Sequence, residues 1–307
     1  MCRVLAYLGR PILVDDLLYA PDNSLLAQVY DAQQFAYLNL GGCGLAAWDS
    51  RFAEPETPLH YRTQFLPTFD RNLHSLARKL TASGLVAHVR GVPYDDRQSV
   101  TVPNVHPFYF DGASVTLAMN GTLVRFDEMR YALLPHIRPD VARRIEGTTD
   151  SEWVYALVLS QLPDPAATAT PEELEHATEH ALRVLRELRA SHGLDTASDL
   201  NLVVADGRTI VATRFTYDYG WYQEEDDYYS KRRRYDFTSL WFTAGSEYAR
   251  VDGEWLMRGS DALESVIIAS EPITKDPSTW VEVPEYSMLT VSLREGIIRL
   301  RARELVV

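Results

Sequence analysis

The chain has 307 residues, 46 % hydrophobic and 24 % charged, the make-up of an ordinary globular protein long enough to bury a core without disulfide staples. No apolar run approaches the ~20 residues of a membrane-spanning helix, and the first ten residues lack the apolar stretch of a secretory leader, so neither span nor leader is expected. The 43 acidic against 30 basic residues leave a net charge of −13, which repels a phosphate backbone and argues against nucleic acid as a partner. The 2 cysteines make neither a disulfide framework nor a four-cysteine zinc site, so a cytoplasmic location is expected.

In chain order, a buried strand is expected over 3–8, stopped by Gly9, then a helical stretch from Asp15 to Leu26 broken by Pro21. Gly41-Gly42-Cys43-Gly44 and the apolar residues after it read as a close-packed strand to Trp48. Apolar spacing predicts a helix over 69–80 ending before Gly84, then a strand over 85–89. Another strand, 114–119, runs into Asn120-Gly121, a strong turn signal. Helices are expected over 126–145 and 151–162. A third begins at Thr170-Pro171-Glu172-Glu173, a capping box with proline in the first turn, and closes at Gly193.

The last third holds short β-branched or aromatic runs at 202–204, 209–215, 239–244, 265–268 and 288–293. Strands at both ends with helices between them predict an α+β layered sandwich, its C-terminal strands joining the sheet that opens the chain. With no repeat and no linker-like tract, a single domain over 1–307 is expected. Around 216–238 lies a tyrosine-rich charged insertion, in which Lys231-Arg232-Arg233-Arg234 follows Glu224-Glu225-Asp226-Asp227. It reads as a solvated hairpin tip or lid, or as a binding loop, since tyrosine supplies contact area at low entropic cost.

Cys2 stands out by position. Removal of Met1 leaves a cysteine whose own α-amine, with a reference pKa near 7.7–8.0, is close enough to serve as general base for its thiol. Acyl transfer then needs donors for a developing oxyanion, which the Asn120 carboxamide and the Gly121 N–H supply. A free amino-acid head group needs an arginine for its carboxylate and an acid for its ammonium, roles open to Arg90 and Asp150. Each residue also has a plain structural reading: a surface arginine, a type I′ turn, a helix N-cap.

Taken together, these segments resemble the class II glutamine amidotransferase domain of the N-terminal nucleophile hydrolases. Met1-Cys2-Arg3 is similar to the family's start, Ala87-His88-Val89-Arg90 to its arginine strand, and Asn104-Val105-His106-Pro107-Phe108 to its Asn-x-His-Pro-Phe segment. Met119-Asn120-Gly121 resembles the oxyanion Asn-Gly, and Thr149-Asp150-Ser151-Glu152 the Thr-Asp-Ser-Glu signature. Ala269-Ser270-Glu271-Pro272, with Trp280 and Val283-Pro284, resembles the closing strands.

The resemblance implies a four-layer αββα sandwich, Cys2 as nucleophile, Asn120 and Gly121 as oxyanion hole, and Arg90 and Asp150 as holders of a γ-glutamyl head group. His106 is implied near the substrate pocket or as the ordering residue of a His-Pro turn, and Arg3 as a positioner of the N-terminus. No metal or organic cofactor is implied. Two departures stand out: many relatives carry threonine three residues after the arginine, where this chain has Pro93, and Cys43 stands where an aromatic is common, reading as a small buried hydrophobe.

The fold as implied uses nearly the whole chain, leaving no Gly-rich phosphate loop or cysteine cluster for a synthase domain. The chain is most similar to the stand-alone branch, with members in ergothioneine biosynthesis and glutathione degradation. That implies an amidohydrolase releasing glutamate from glutamine or a γ-glutamyl conjugate. Two alternatives are a glutaminase subunit that passes ammonia to a separate synthase and a catalytically idle descendant that binds a γ-glutamyl metabolite or a protein; a synthase partner or a homo-oligomer is the expected assembly.

Overall fold

The computed structural model describes residues 2–34, 38–92, 100–220, 238–260 and 262–307. The first third holds β1 (Arg3–Leu13), α1 (Asp15–Leu18), β2 (Cys43–Trp48), β3 (Leu59–Thr63), α2 (Arg71–Ala77) and β4 (Thr81–Val89). The middle holds β5 (Thr116–Gly121), α3 (Phe126–Met129), α4 (Pro139–Ala142), α5 (Asp150–Gln161) and α6 (Pro171–Ser191). Then come β6 (Ser198–Ala205), β7 (Thr209–Arg214), β8 (Thr216–Tyr217), β9 (Trp241–Gly245), β10 (Glu247–Val251) and β11 (Glu254–Arg258). The chain closes with β12 (Ser265–Ala269), β13 (Val281–Glu282), β14 (Ser287–Arg294) and β15 (Ile297–Glu304).

Among the described residues the strands form a seven-stranded sheet, ordered β13-β9-β12-β1-β4-β2-β3, and a six-stranded path that runs β15-β14-β7-β6-β5 with β8 paired to β6. Side chains alternate across a strand, so each sheet has two faces to bury. On β1, Val4, Ala6 and Leu8 pack with Val86 of β4, Ala118 of β5, Val203 of β6 and Leu289 of β14 between the sheets. The intervening Leu5 and Tyr7 face the other way, against Leu17 and Leu18 of α1, Leu73 and Ala77 of α2, and Tyr248 and Met257 of the β10–β11 hairpin. The second sheet turns Leu117, Met119, Leu202 and Val211 outward onto α5 and α6. The result is the expected α+β architecture in four layers, αββα, with the outer layer on the first sheet made partly of a hairpin.

Several expectations are corrected. Gly9 does not stop the first strand: it sits opposite Ser265, where a Cβ would come within 2.6 Å of Ser265 Oγ, so the glycine permits close strand approach. Asn120-Gly121 is no hairpin turn, because both residues continue β5, paired with Asn201 and Leu200. The expected helix over 126–145 breaks into α3, a 3-10 turn Arg130–His136 and α4, since Pro135 and Pro139 each lack an N–H. The stretch after Asp15 is helical only over α1, with a 3-10 turn Ala27–Val29 beyond it.

Of the C-terminal strands, β9 and β12 join the sheet that opens the chain, whereas β6, β7, β14 and β15 form the second sheet. Strands β3, β10, β11 and β15 were not anticipated. Most of the tyrosine-rich segment, including its charged run, lies outside the described residues, as do Met1 and Pro93. Its first member, Tyr217, is no solvated tip: it is fully buried, and its hydroxyl donates to Leu182 O at 2.6 Å. No helix among the described residues is long and apolar enough to cross a membrane.

Candidate active site

The space between the sheets changes character at one end. The same two-residue alternation that places Val4, Ala6 and Leu8 there places Cys2 on that face. On β4, Val86 is followed by His88 and Arg90; on β12, Val266 and Ile268 by Ser270; on β5, Ala118 by Asn120. An apolar interlayer thus ends in a patch of cysteine, arginine, asparagine and serine. Antiparallel register pairs Arg3 with Val89 and Leu5 with Ala269, which sets Cys2 beside Arg90 and Val4 beside Ser270.

Cys2 is buried, and its Sγ accepts the Gly91 N–H at 3.3 Å. The Arg3 guanidinium, on the opposite face of the strand, reaches back to donate to Cys2 O at 3.1 Å. Arg90 is no surface arginine, being 5 % exposed. Its backbone is tied down by Gly41 N–H donating to Arg90 O at 2.8 Å and by Arg90 N–H donating to Gly42 O at 2.9 Å. A Cβ on Gly41 would fall 3.1 Å from Arg90 Cγ, so the bare glycine leaves room for the arginine stem. Burial pushes the Arg90 guanidinium below its ordinary pKa, while the negative forms of Cys2 and Asp150 push it back up.

Asp150 opens α5 but does not cap it. Thr149 is the N-cap, its hydroxyl accepting the Glu152 N–H at 3.4 Å. The Asp150 carboxylate instead accepts the Leu123 N–H at 2.7 Å, the Ser151 N–H at 2.7 Å and the Ser151 hydroxyl at 3.0 Å. Burial raises its pKa, opposed by these donors and by the charge of Arg90.

Two residues without an assigned role hold this corner. Asn104 accepts the Thr148 N–H at 2.8 Å and donates to Thr148 Oγ1 at 3.1 Å, while Glu152 accepts from Gly147 N–H at 2.6 Å and Glu146 N–H at 3.0 Å. Asn104 and Glu152 therefore both tie down the turn at 146–148 that leads into the Thr-Asp-Ser-Glu segment. Glu271 does similar work for another loop, accepting the Gln33 and Gln34 N–H groups at 3.0 and 2.9 Å.

Strand β5 lies at the edge of its sheet, and its outward backbone groups are met one by one. Leu117 exchanges two hydrogen bonds with Phe108, at 2.7 and 3.1 Å. Two residues on, Met119 O accepts from His88 Nε2 at 3.1 Å, and Met119 N–H donates to His106 Nδ1 at 3.0 Å. Two residues further, Gly121 presents its N–H toward the same edge by the period of the strand. A side chain at Gly121 is barred, because a Cβ would lie 1.8 Å from Asp199 O.

His106 is buried and stacked on His88, so the structure places it against Met119 of β5. His88 is a further buried polar contact at this end, and a lone histidine between Ala87 and Val89 on a strand is its signal in the sequence. Cys43 is 2 % exposed, and burial pushes its thiol up to about 12, which suits a small hydrophobe. Among the described residues no group of His, Cys, Asp and Glu is arranged to hold a metal.

The chain is similar to known proteins in sequence and in fold. The chain is 28 % identical over 311 residues to the probable glutamine amidotransferase DUG3 of Saccharomyces cerevisiae, covering 95 % of this chain and 82 % of that protein. It is 24 % identical over 297 residues to the gamma-glutamyl-hercynylcysteine sulfoxide hydrolase of Mycolicibacterium smegmatis, with 95 % and 96 % of the two chains covered.

Its fold is similar to a solved glutamine aminotransferase class-II domain protein from Silicibacter pomeroyi, with a TM-score of 0.62, 20 % identity and both chains fully covered. It also matches the glutamine phosphoribosylpyrophosphate amidotransferase of B. subtilis, with a TM-score of 0.56 and 15 % identity over 99 % of this chain and 49 % of that one. The family pattern for glutamine amidotransferases class-II matches residues 41–305, most of the chain, and the protein therefore belongs to the class-II glutamine amidotransferase family.

Proposed function

We propose that the protein is an amidohydrolase that cleaves the γ-glutamyl amide of glutamine or of a γ-glutamyl conjugate, working in the cytoplasm on a small-molecule substrate. The observation that carries this reading is the convergence at one polar end of the interlayer of Cys2, whose Sγ meets the N–H next to Arg90, and Asn120, joined through Ser270 to the strand that begins beside Cys2. The name of the relative from Mycolicibacterium smegmatis, a γ-glutamyl hydrolase, supports the substrate class.

With Met1 removed, the α-amine of Cys2 takes the thiol proton as Sγ adds to the γ-carbonyl carbon. The oxyanion accepts hydrogen bonds from the Asn120 carboxamide and the Gly121 N–H. The C–N bond then breaks, the amine leaving with the proton held by the α-amine, and a thioester remains. Water adds to the thioester, releasing glutamate and restoring the thiol. Throughout, Arg90 holds the α-carboxylate and Asp150 the α-ammonium of the head group, while His106 orders the strand that carries the oxyanion donors.

The probable amidotransferase identity of the yeast relative favours a second reading, a glutaminase subunit that hands ammonia to a separate synthase. That reading expects feeble hydrolysis alone and strong activation by a partner.

Intact-protein mass spectrometry, before and after exposure to a diazo-ketone analogue of glutamine, tests the proposal. A mass lacking methionine, with one covalent adduct that disappears in Cys2→Ala, is expected. Retained methionine with no adduct removes both base and nucleophile, and leaves a binding protein in their place.

A further inference from the structure

Ser270 sits one residue past β12, on the face shared with Cys2 and Asn120, and is 2 % exposed. Its Oγ accepts the Val4 N–H at 3.0 Å and lies 3.2 Å from Asn120 Nδ2. Its backbone is held too: the Ser270 N–H donates to Val4 O at 3.0 Å, and Ser270 O accepts the Ser239 hydroxyl at 2.7 Å. In that arrangement the serine oxygen accepts twice, which its two lone pairs allow, and Asn120 Oδ1 is buried with no partner among the described residues. Turning the carboxamide end over exchanges two atoms of nearly equal size and gives the buried oxygen a donor in the Ser270 hydroxyl. The Ser270 O–H then donates to Asn120 Oδ1, Oγ still accepts from Val4, and Nδ2 swings to the side where the orphaned oxygen stood.

We propose that Ser270 is a positioning residue for the oxyanion hole: its hydroxyl holds the Asn120 carboxamide by the oxygen and leaves the nitrogen, with both protons uncommitted, for the oxygen that develops on the substrate. The inference rests on the reading of Asn120 as an oxyanion donor. It also gives a reason for the Ser-Glu-Pro segment beyond strand closure: Glu271 anchors the loop at Gln33 and Gln34, and Ser270 aims the carboxamide. One hydroxyl thereby links the strand that begins beside the nucleophile to the strand that carries the oxyanion donor.

The test is a double-mutant cycle on the hydrolysis of γ-glutamyl-p-nitroanilide by the full chain, together with the rate at which iodoacetamide alkylates Cys2. Ser270→Ala is expected to lower kcat by about 10- to 100-fold with little change in KM. Alkylation, which passes through no oxyanion, is expected to stay within about twofold of the original protein. In an Asn120→Ala background, Ser270→Ala is expected to add almost nothing, because its effect travels through the residue already lost. Ser270→Thr, which retains the hydroxyl, is expected to restore turnover, and Ser270→Val of equal shape is not; this pair also serves if the alanine variant does not fold.

Full additivity with Asn120→Ala, or equal activity of the threonine and valine variants, overturns the role of Ser270. An unaltered kcat in Asn120→Ala, with the original protein active, overturns instead the reading of Asn120 on which it rests. A protein that hydrolyses no γ-glutamyl compound overturns both.

Discussion

The rings of His88 and His106 stack face to face, 4.1 Å apart and 14° from parallel, and grip the two backbone groups of a single residue, Met119. Because His106 Nδ1 accepts a hydrogen bond, its proton sits on Nε2; because His88 Nε2 meets a carbonyl, it donates. His106 is therefore neutral in the folded protein, and burial disfavours the charged form of His88 as well. Gly44 makes the stack fit, since a Cβ there would lie 2.5 Å from His106 O.

This pair sets a pH dependence of stability. Burial pushes His88 down to about 3 and His106 well below its usual range, whereas in the unfolded chain both titrate near ~6.5. Below that value the unfolded state binds protons that the folded state refuses, so the stability present at neutral pH is lost as pH falls. For the pair the loss between about pH 6.5 and 5 is about 3 kcal/mol. Buried Asp150, Asp199 and Asp206, whose pKa values burial raises, act in the opposite sense as pH falls. Urea unfolding across that window is expected to show the loss, with about half of it abolished in His88→Gln. Equal slopes for the two proteins would refute it.

Arg90→Lys preserves the charge but not the planar fork that grips a carboxylate in two places. Under the proposed mechanism KM for a γ-glutamyl substrate rises about 10- to 100-fold, with a smaller change in kcat. Asp150→Asn behaves alike through the ammonium group. Steady-state kinetics decides the matter, and an unchanged KM in both variants would remove the head-group assignment.

Gly121→Ala is expected to cost about 3 kcal/mol or more, since its φ is 146° and the added carbon would lie 1.8 Å from a backbone oxygen of Asp199. Gly112 is a matched contrast, with φ of 74° and nothing within 4 Å of a Cβ, so Gly112→Ala costs only about 1 kcal/mol. Thermal unfolding of the two variants checks the difference. Comparable losses would show that the Asp199 contact gives way easily.

Thr170→Ala removes half of a reciprocal cap in which Thr170 Oγ1 accepts the Glu173 N–H at 3.2 Å and Glu173 accepts the Thr170 N–H at 2.7 Å. About 1 kcal/mol of stability is expected to go with it, read from the urea midpoint. Activity at saturating substrate should stay the same, because α6 packs on the far side of the second sheet from the interlayer.

Local sequence was a sound guide wherever a short-range rule acts alone. The capping box at Thr170 starts α6 as written, and the runs at 202–204, 265–268 and 288–293 lie in strands, as does that at 209–215 up to Arg214. The order of the motifs also disclosed the family, because an N-terminal cysteine, an arginine strand and an Asn-Gly recur at recognisable intervals.

Tertiary structure alone decided the points at which a local preference met a longer-range partner. Asn120-Gly121 favours a turn in isolation, yet β6 supplies a pairing strand, and Asp199 fills the space that only glycine leaves open. Gly9 looks like a stop until Ser265 is seen against it. Asp150 looks like an N-cap until Thr149 takes that place and Leu123, 27 residues earlier, turns its N–H to the carboxylate. The closeness of Ser270 to Asn120, across 150 residues of chain, has no local signal at all. Propensity and period act over a turn or a strand, whereas the polar end of the interlayer is assembled by two sheets meeting face to face, and that contact depends on register between strands distant in sequence.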